Sequence, residues 1–373
     1  MEKKRIFIIT GEHSGDMHGA RVANALKNLN PDVEIEAIGG NALEAEGVKL
    51  FSNHDKMEAV GLSPKIVFDH ITLGKRVVDY LKNEFKPDIV LLIDYGVFNL
   101  NIAKFLHKAG IKTYYYIPPQ VWASRKWRLK TIKKFVDKIL CIFPFEKNMY
   151  KDAGINVTYV GHPLVSQLST KADKTEFFAR HKLDPRKKLV AVFPGSRKFE
   201  LNQLMHIFVK SARKLAENHP DIQIVFSHAP NLSDDIWSKY FKRGEFQVIK
   251  GENQALLSVA DSLILASGTV ALEAALYQTP MLIAYRGPWF FYLVYLLVRC
   301  IKRVSLPNII VDKEIVKELI QGKLTVKNIV QETEKLLYDN NYRSAFINEL
   351  STVKSHLSDK NSSLEVAKEI YIY

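Results

Sequence analysis

The sequence predicts an α/β protein built from two domains, each with a doubly wound parallel sheet. Short runs rich in Ile, Val, Leu and Tyr alternate with longer amphipathic segments, which is the βαβα order of such a sheet. Most of these runs are apolar throughout, as parallel strands buried on both faces are. The chain has 373 residues, which is more than one hydrophobic core usually serves, so two domains are expected.

Eight short segments are the clearest strand candidates. They are Arg5–Thr10, Asp88–Asp94, Lys112–Ile117, Lys138–Phe143, Leu189–Phe193, Ile222–Phe226, Ser262–Leu265 and Pro280–Tyr285. Helical patterns lie between them, as in Ile102–Lys108, Leu129–Phe135 and Ile207–Asn218.

The alternation pauses near residues 161–164, where a polar stretch begins that lasts until the strand at Leu189. We therefore predict a first domain over residues 1–165 and a second over residues 166–345. From Val326 onward the chain has only helical patterns. We predict that a tail over residues 346–373 packs on the first domain or on a partner chain.

Charge and cysteine content narrow the classes of function. The formal net charge is +13, from 53 Lys and Arg against 40 Asp and Glu. This balance suits nucleic acid, phospholipid headgroups or a phosphorylated substrate, or it describes a well-solvated surface. A nucleic-acid binder is disfavoured because the basic residues are dispersed and no recognition motif accompanies them. Cys141 and Cys300 lack metal-type spacing, so we expect no metal site.

The apolar runs also bear on the cellular location. The first one, residues 6–9, is too short for the core of a signal peptide. No run reaches the roughly 18 apolar residues of a membrane-spanning helix. We therefore expect a cytoplasmic protein.

Polar side chains follow two predicted strands of the first half. Residues 11–16, Gly-Glu-His-Ser-Gly-Asp, form a turn into a helix whose N-terminus offers free N–H groups to an anion. A tight turn capped by Ser14 or Asp16 is the structural alternative. Asp94 ends the second strand candidate and is a potential general base. The alternative is that Asp94 holds the following loop through backbone N–H groups.

The segment Pro118–Arg125 follows another strand, and its two prolines forbid a helix there. Trp122 and Arg125 are candidates for substrate contact. A basic helical face follows, and either solvation or an acidic headgroup explains it; its residues are Lys126, Arg128, Lys130, Lys133 and Lys134.

In the second half, Phe193-Pro194-Gly195-Ser196-Arg197 ends a strand and precedes a helix. Gly195 lets the backbone approach a ligand closely. Arg197 then suits a phosphate, which it clamps with charge-assisted bonds.

The strongest single motif is residues 266–273, Ala-Ser-Gly-Thr-Val-Ala-Leu-Glu. A strand runs into a turn at Ser267, Gly268 and Thr269, whose N–H groups and helix dipole suit a diphosphate. The carboxylate of Glu273 can accept both hydroxyls of a ribose. The structural alternative is an ordinary capped helix in which Glu273 gains from the dipole.

Residues 288–303 are apolar nearly all round, aromatic at the front and basic at the back. The segment is too short to span a bilayer. It is either a buried core helix or a surface helix that dips into a membrane, with cations near anionic headgroups. In the second case the membrane and acyl contacts are Trp289, Phe290, Phe291, Tyr292, Leu293 and Leu296.

Taken together, these motifs resemble one family, the lipid-A-disaccharide synthases, which are inverting glycosyltransferases with two Rossmann-like domains facing a cleft (the GT-B type). Each motif is weak alone, but the ordered set covers nearly the whole chain. The matching segments are residues 11–16, 118–123, 143–146, 160–164, 194–197 with Glu200, 266–269 with Leu272 and Glu273, Tyr285-Arg286 and Leu306-Pro307-Asn308.

The resemblance implies a specific reaction. The family transfers 2,3-diacylglucosamine from its UDP derivative onto 2,3-diacylglucosamine 1-phosphate (lipid X), which gives a β-1,6-linked disaccharide and UDP. It needs no metal or other cofactor and works at the cytoplasmic face of the bacterial inner membrane as a peripheral protein. The partners implied are therefore the two lipids and the membrane surface, with no nucleic acid and with a homodimer left open.

The resemblance also implies site residues. The first domain is the acceptor side and the second binds the UDP-sugar. We expect the nucleotide-sugar contacts to be Ser14, Gly15, Gly195, Ser196, Arg197, Ser267, Gly268, Thr269, Glu273 and Asn308. We expect the catalytic residues to be Asp94, Arg197 and Glu12.

One departure affects the catalytic base. The family often has Asp-Ala-Pro-Asp-Phe-Asn after this strand, and its second Asp is a favoured catalytic candidate. Here residues 94–99 read Asp-Tyr-Gly-Val-Phe-Asn, so Val97 stands at that place. Valine cannot move a proton, so either Asp94 or another acid deprotonates the acceptor hydroxyl, or the family's assignment does not transfer.

Three other functions stay open at the level of sequence. Another UDP-sugar-dependent glycolipid glycosyltransferase would use the same nucleotide site. A UDP-sugar 2-epimerase would act on soluble UDP-sugar alone and would not need the apolar segment after Pro288. A non-catalytic membrane-binding module would bind UDP without turnover.

Overall fold

The computed structural model describes residues 4–53, 64–288 and 302–372, with the side chains of 64–71 outside the description. The chain divides into two compact units: unit 1 is Met1–Ser166 with Leu357–Tyr373, and unit 2 is Gln167–His356. Within the predicted tail, residues 346–356 therefore lie in unit 2, and the last helix lies in unit 1.

Unit 1 contains a parallel sheet of seven strands in the order β3-β2-β1-β4-β5-β6-β7. The strands are β1 Arg5–Ile9, β2 Glu34–Gly39, β3 Lys49–Asn53, β4 Ile89–Ile93, β5 Thr113–Tyr116, β6 Lys138–Cys141 and β7 Val157–Tyr159. The four strands predicted in this half are confirmed. β2, β3 and β7 were not predicted.

Unit 2 contains a parallel sheet of six strands in the order β10-β9-β8-β11-β12-β13. The strands are β8 Lys188–Phe193, β9 Ile222–His228, β10 Gln247–Lys250, β11 Ser262–Ala266, β12 Met281–Tyr285 and β13 Lys317–Ile320. All four predicted strands are present, and β10 and β13 are additional. The α/β class with two doubly wound sheets is therefore confirmed.

Helices cover these sheets. Unit 1 has α1 His13–Leu29, α2 Asn41–Ala45, α3 Pro64–Tyr80 with a π-helical turn Leu81–Phe85, α4 Gly96–Lys108, α5 Arg128–Phe135, α6 Pro144–Asp152, α7 Pro163–Gln167 and α15 Ser362–Tyr371. Unit 2 has α8 Lys174–Arg180, α9 Lys198–Asn218, α10 Asn253–Val259, α11 Val270–Leu276, α12 Leu306–Ile310, α13 Val326–Tyr338 and α14 Asn340–His356, with 3₁₀ turns at Asp234–Lys239 and Gln321–Lys323.

The last helix, α15, returns to the first unit and packs on α1. Its first residue, Ser362, is hydrogen-bonded to the buried hydroxyl of Tyr116 on β5 at 2.9 Å. Val366, Ala367 and Ile370 are fully buried. The apolar side of α15 thus completes the core of unit 1.

The central strands carry the core of each unit. Ile6–Ile9 of β1 and Leu263–Leu265 of β11 are 0% exposed. Because both faces of these strands are covered, their sequences are apolar without alternation. Among the described residues, no helix is long and apolar enough to cross a membrane.

Candidate functional site

Each sheet has one place where its strand order reverses direction. In unit 1 the reversal lies between β1 and β4, and in unit 2 it lies between β8 and β11. Ligands of doubly wound proteins bind at this point, outside the carboxyl ends of the strands. The sequence motifs at residues 11–16 and at Asp94 flank the first reversal, and those at residues 194–197 and 266–269 flank the second.

The two loops at the reversal in unit 1 are in close contact. Ile9 of β1 is paired with Leu92 of β4, so the two strands end side by side. Beyond them, a Cβ on Gly11 would stand only 2.1 Å from an atom of the Tyr95 ring. Gly11 therefore has to be a glycine for the loop after β1 to meet the loop after β4.

Asp94 is half-buried at this contact. Burial raises the pKa of its carboxyl, and the nearby negative charge of Glu12 adds to the rise, while a hydrogen bond from the Tyr95 N–H opposes it. A carboxylate with a raised proton affinity that still reaches solvent has the properties of a general base.

The backbone at the same place is strained. Asp94 and Tyr95 have φ values of 50° and 49°, in the left-handed region that residues with a Cβ rarely adopt. In the loop after β5, Ile117 has φ 52°, which is exceptional for a β-branched residue. Strain of this kind is concentrated at functional sites.

The turn after β1 separates exposed polar groups from a structural acid. Glu12 and Ser14 are exposed, and Glu12 is the N-cap of α1 without a side-chain capping bond. Asp16 is 1% exposed and accepts from the N–H groups of Gly40 and Ala42, both at 2.8 Å. Asp16 therefore caps α2 and not α1, which leaves Glu12 and Ser14 available to a ligand.

Trp122 does not have the contacts expected of a substrate-binding residue. Its ring is 7% exposed, and its Nε1–H donates to Oε1 of Glu146 at 2.9 Å. Glu146 also accepts from the N–H groups of Ile142 and Phe143, each at 3.2 Å, and burial raises its pKa to about 7. Trp122 and Glu146 thus hold the loop after β5, whereas Arg125 in that loop is exposed.

In unit 2, the turn after β8 needs its glycine. Gly195 has φ 104°, and a Cβ there would lie 2.3 Å from Oε2 of Glu200. The same oxygen accepts from the N–H groups of Ser196 at 3.0 Å and Arg197 at 3.2 Å. These two N–H groups are therefore already bound, so Arg197 must act through its side chain.

The Arg197 side chain is 81% exposed, and its nearest acidic oxygen, on Glu200, lies at 3.8 Å. The guanidinium is thus presented to solvent beside the strand reversal. It is positioned to bind a phosphate without first breaking a strong ion pair.

The turn after β11 lies next to that arginine loop, because Leu265 of β11 is paired with Phe193 of β8. Gly268 and Thr269 are exposed. A Cβ on Gly268 would meet nothing within 4 Å, so the packing of the described residues does not require a glycine there. The open space suits the close approach of a ligand.

Glu273 is half-buried on α11. Burial raises its pKa, and a hydrogen bond from the side chain of Gln254 opposes the rise. The oxygen of Gln254 accepts from Oγ of Ser169 at 2.8 Å, and Ser169 is in turn bonded to the hydroxyl of Tyr277 at 2.9 Å. The sequence motifs did not include Gln254, which orients this carboxylate.

Asn308 differs from the expectation. It is 0% exposed, and its Nδ2 donates to O of Val316 and Oε1 of Glu318, both at 2.8 Å. Its Oδ1 accepts from the N–H groups of Ile315 and Val316, also at 2.8 Å. Every hydrogen-bonding position of this amide is occupied, so Asn308 holds its own loop and has none left for UDP.

The expected membrane contacts, Trp289, Phe290, Phe291, Tyr292, Leu293 and Leu296, lie outside the described residues. The residues that flank them are fixed to one strand end. Gln321, just after β13, pairs through its amide with Gly287 at 3.1 and 2.9 Å. Glu318 on β13 accepts from the N–H of Ser305 at 2.8 Å.

Within the described ranges, no group of three or more His, Cys, Asp or Glu side chains could hold a metal ion. Cys141 is buried in unit 1. Burial and the nearby Glu146 raise the pKa of its thiol, which makes it inert.

Comparison of the sequence with known families gives one clear similarity. A profile of the family described as "Lipid-A-disaccharide synthetase" matches residues 6–370. The chain is 36% identical to the lipid-A-disaccharide synthase of Coxiella burnetii (strain CbuG_Q212) over 375 residues, covering 100% of this chain and 99% of the relative. It is 32% identical to that of Myxococcus xanthus (strain DK1622), covering 98% and 96%.

Solved structures show the same fold at much lower identity. The UDP-GlcNAc 2-epimerase from Neisseria meningitidis bound to UDP-GlcNAc has a TM-score of 0.70 at 15% identity, covering 99% of this chain and 100% of that one. The glycotransferase of kitacinnamycin has a TM-score of 0.65 at 13% identity, covering 100% and 99%. These similarities confirm the two-domain GT-B fold.

Proposed function

Because the chain belongs to the lipid-A-disaccharide synthase family, we propose that it transfers 2,3-diacylglucosamine from UDP-2,3-diacylglucosamine to 2,3-diacylglucosamine 1-phosphate. The products are a β-1,6-linked disaccharide 1-phosphate and UDP. The observation that carries this proposal is that the two strand reversals hold different chemistry. One has half-buried and exposed carboxylates, and the other has an exposed guanidinium, an open glycine turn and a half-buried acid.

Unit 1 takes the acceptor sugar. Asp94 removes the proton of the acceptor's 6-hydroxyl as its oxygen attacks the anomeric carbon of the donor from the face opposite UDP. The bond to UDP breaks in the same displacement, so the configuration inverts. Burial, with a smaller effect from the charge of Glu12, raises the proton affinity of Asp94. Val97, which is 64% exposed, takes no part in the proton transfer.

Unit 2 holds the nucleotide. Arg197 neutralises the charge that develops on the departing diphosphate in the transition state. The N–H groups at Gly268 and Thr269 bind the same phosphates. The Glu273 carboxylate accepts the ribose hydroxyls, and the amide donor of Gln254 keeps it oriented.

The acyl chains of both substrates keep the reacting sugars at a bilayer. We place the enzyme on the cytoplasmic face of the inner membrane, where the apolar segment that begins at Trp289 contacts lipid. Its composition, with aromatic residues before a basic end, supports this assignment.

The direct test is to incubate the purified protein with both lipids and to follow disaccharide and UDP by mass spectrometry. We expect both products in equal amounts, with none when either lipid is omitted. A change at C2 of the UDP-sugar in the absence of acceptor would instead identify an epimerase. Binding of UDP by folded protein without turnover would identify a non-catalytic module.

A further inference from the structure

We propose that Tyr115 and Asn99 are positioning residues that clamp the main-chain carbonyl of Asp94 and thereby aim its carboxylate at the acceptor hydroxyl. The inference rests on the proposed function, in which Asp94 is the base. Neither residue reaches solvent, since both are 0% exposed, so each would act only through Asp94.

The clamp consists of two short hydrogen bonds to one oxygen. The Tyr115 hydroxyl donates to O of Asp94 at 2.7 Å, and Nδ2 of Asn99 donates to the same oxygen at 2.8 Å. Nδ2 of Asn99 also lies 3.2 Å from O of Ile93. The end of β4 and the residue after it are thus held by side chains from both β5 and α4.

The Asp94 carbonyl belongs to the peptide bond that joins Asp94 to Tyr95. The φ values of both residues are in the left-handed region, so the orientation of this peptide determines the strained conformation of the loop. Two such residues in succession, neither of them glycine, relax unless their surroundings prevent it. Holding the carbonyl with two donors fixes the plane of the peptide and so maintains the conformation.

The other end of the same peptide contacts the base. The N–H of Tyr95 forms a hydrogen bond with the Asp94 carboxylate and lowers its pKa, against the larger rise caused by burial. The clamp on the carbonyl therefore holds the N–H against the carboxylate. If the peptide rotated, the carboxylate would lose both a donor and its direction.

Packing alone does not explain why polar side chains occupy the buried positions 115 and 99. Phenylalanine would fill the site of Tyr115 in the apolar core without burying a hydroxyl. Asn99 is more costly still, because its Oδ1 is buried and has no hydrogen-bond partner among the described residues. An unsatisfied buried oxygen is a penalty, and the donor on the same amide, which binds Asp94, is what offsets it.

Tyr115→Phe tests the proposal, and Tyr116→Phe is its matched control. Both residues are fully buried neighbours on β5, and each hydroxyl is hydrogen-bonded inside unit 1, but that of Tyr116 binds Ser362 and not Asp94. We expect Tyr115→Phe to lower kcat at least tenfold and to move the acid limb of the kcat–pH profile to higher pH, because the carboxylate loses the Tyr95 donor. Tyr116→Phe should keep kcat within twofold and leave that limb in place.

Melting temperature and UDP affinity complete the experiment. The two variants should lose similar thermal stability, and both should bind UDP like the parent, since unit 2 is unchanged. Equal kcat values and equal pH profiles for the two variants would overturn the clamp. Asn99→Leu, which removes the second donor and the orphaned oxygen, should reproduce the pH shift. If the parent protein made no disaccharide, the proposed function would fail and not the clamp.

Discussion

The two strand reversals of this protein occupy equivalent places in similar sheets, yet their loops are built differently. In unit 1 the left-handed backbone is at Asp94 and Tyr95, residues with a Cβ, whereas in unit 2 it is at Gly195. A glycine adopts this conformation without strain, and an aspartate does so only under constraint. The comparison indicates that the glycine of unit 2 makes room for the Glu200 carboxylate, whereas the strained residues of unit 1 hold one side chain in a fixed direction.

The half-buried acids of the two units, Asp94 and Glu273, also have different surroundings. Burial raises the pKa of both Asp94 and Glu273. At Asp94 a hydrogen bond from the Tyr95 N–H favours the charged form, and the like charge of Glu12 favours uptake of a proton. Glu273 has the amide of Gln254, which favours the charged form. The first environment suits a base, and the second suits a permanent acceptor for sugar hydroxyls.

The largest effect expected from this comparison is on turnover through Asp94. Asp94→Asn keeps the shape of the side chain but removes the base, and we expect kcat to fall by about 10³-fold. UDP affinity, measured by calorimetry, should stay within about twofold because the nucleotide is held by unit 2.

Asp88→Asn is the control at the opposite end of β4. The Asp88 carboxylate accepts from the N–H of Arg5 at 2.7 Å, so its role is structural and its amide variant should turn over normally. If Asp94→Asn kept more than a tenth of the parent activity, the assignment of Asp94 as base would be wrong.

The next largest effect is expected at Arg197. Arg197→Ala should lower kcat about a hundredfold, because a cation no longer stabilises the charge on the departing UDP. The melting temperature should barely change, since this side chain is 81% exposed and exposed ion pairs contribute little. Arg213→Ala is the control. Arg213 lies further along α9, is half-exposed and is bonded to Glu245, so its loss should leave kcat unchanged.

A loss of UDP affinity with unchanged kcat would contradict the role of Arg197. It would mean that the arginine binds ground state and transition state equally. In that case unit 2 would only hold the nucleotide, and the contrast between the two units would become sharper.

How far the sequence predicts the structure depends on where the partners of each residue lie. The apolar central strands were predictable because burial on both faces leaves a local pattern. β2 was not, since Glu36 interrupts it, and this acid is buried at 5% exposure because Lys49 and Tyr80 pair with it at 2.7 and 2.6 Å. No local pattern shows such distant partners.

The same reasoning applies to the candidate site. Asp94, Gly195 and Gly268 could be located after strands from the sequence, because the apolar runs before them are visible in it, and their roles in binding and catalysis stay predictions. Trp122 and Asn308 were expected to contact ligands, whereas their side chains bind Glu146 and Glu318, which lie elsewhere in the chain. Tyr115 carries no signal of its own, since it is one of three tyrosines in an apolar strand.

The smallest effect we expect is a difference in acid stability between the units, which originates in a pair of histidines in unit 1. Burial and, to a smaller extent, the charge of Arg21 lower the pKa of His18 to about 4. Burial lowers that of His162 to about 3, with His18 adding to the shift. Both side chains are therefore neutral in the folded protein.

These shifts give the sign of the pH dependence. The folded pKa values lie below the value near 6.5 of an unfolded histidine, so the stability they contribute is present above pH 6.5 and is lost as the pH falls towards 4. At pH 5 each of these two histidines should lower the free energy of unfolding of unit 1 by about 1–2 kcal/mol. In unit 2, His181 and His219 instead contact Glu252 and Glu334 at 3.0 and 2.9 Å.

Hydrogen exchange read by mass spectrometry at pH 7 and pH 5, corrected for intrinsic rates, resolves the two units in one sample. Peptides from β1 and β5 should lose more protection on acidification than peptides from β8 and β11. His18→Leu, which cannot take up a proton, should reduce that difference, whereas His206→Leu on α9 should leave it unchanged because His206 is exposed. An equal loss of protection in both units would contradict this prediction. It would show that protonation of His18 and His162 destabilises unit 1 no more than acid destabilises unit 2.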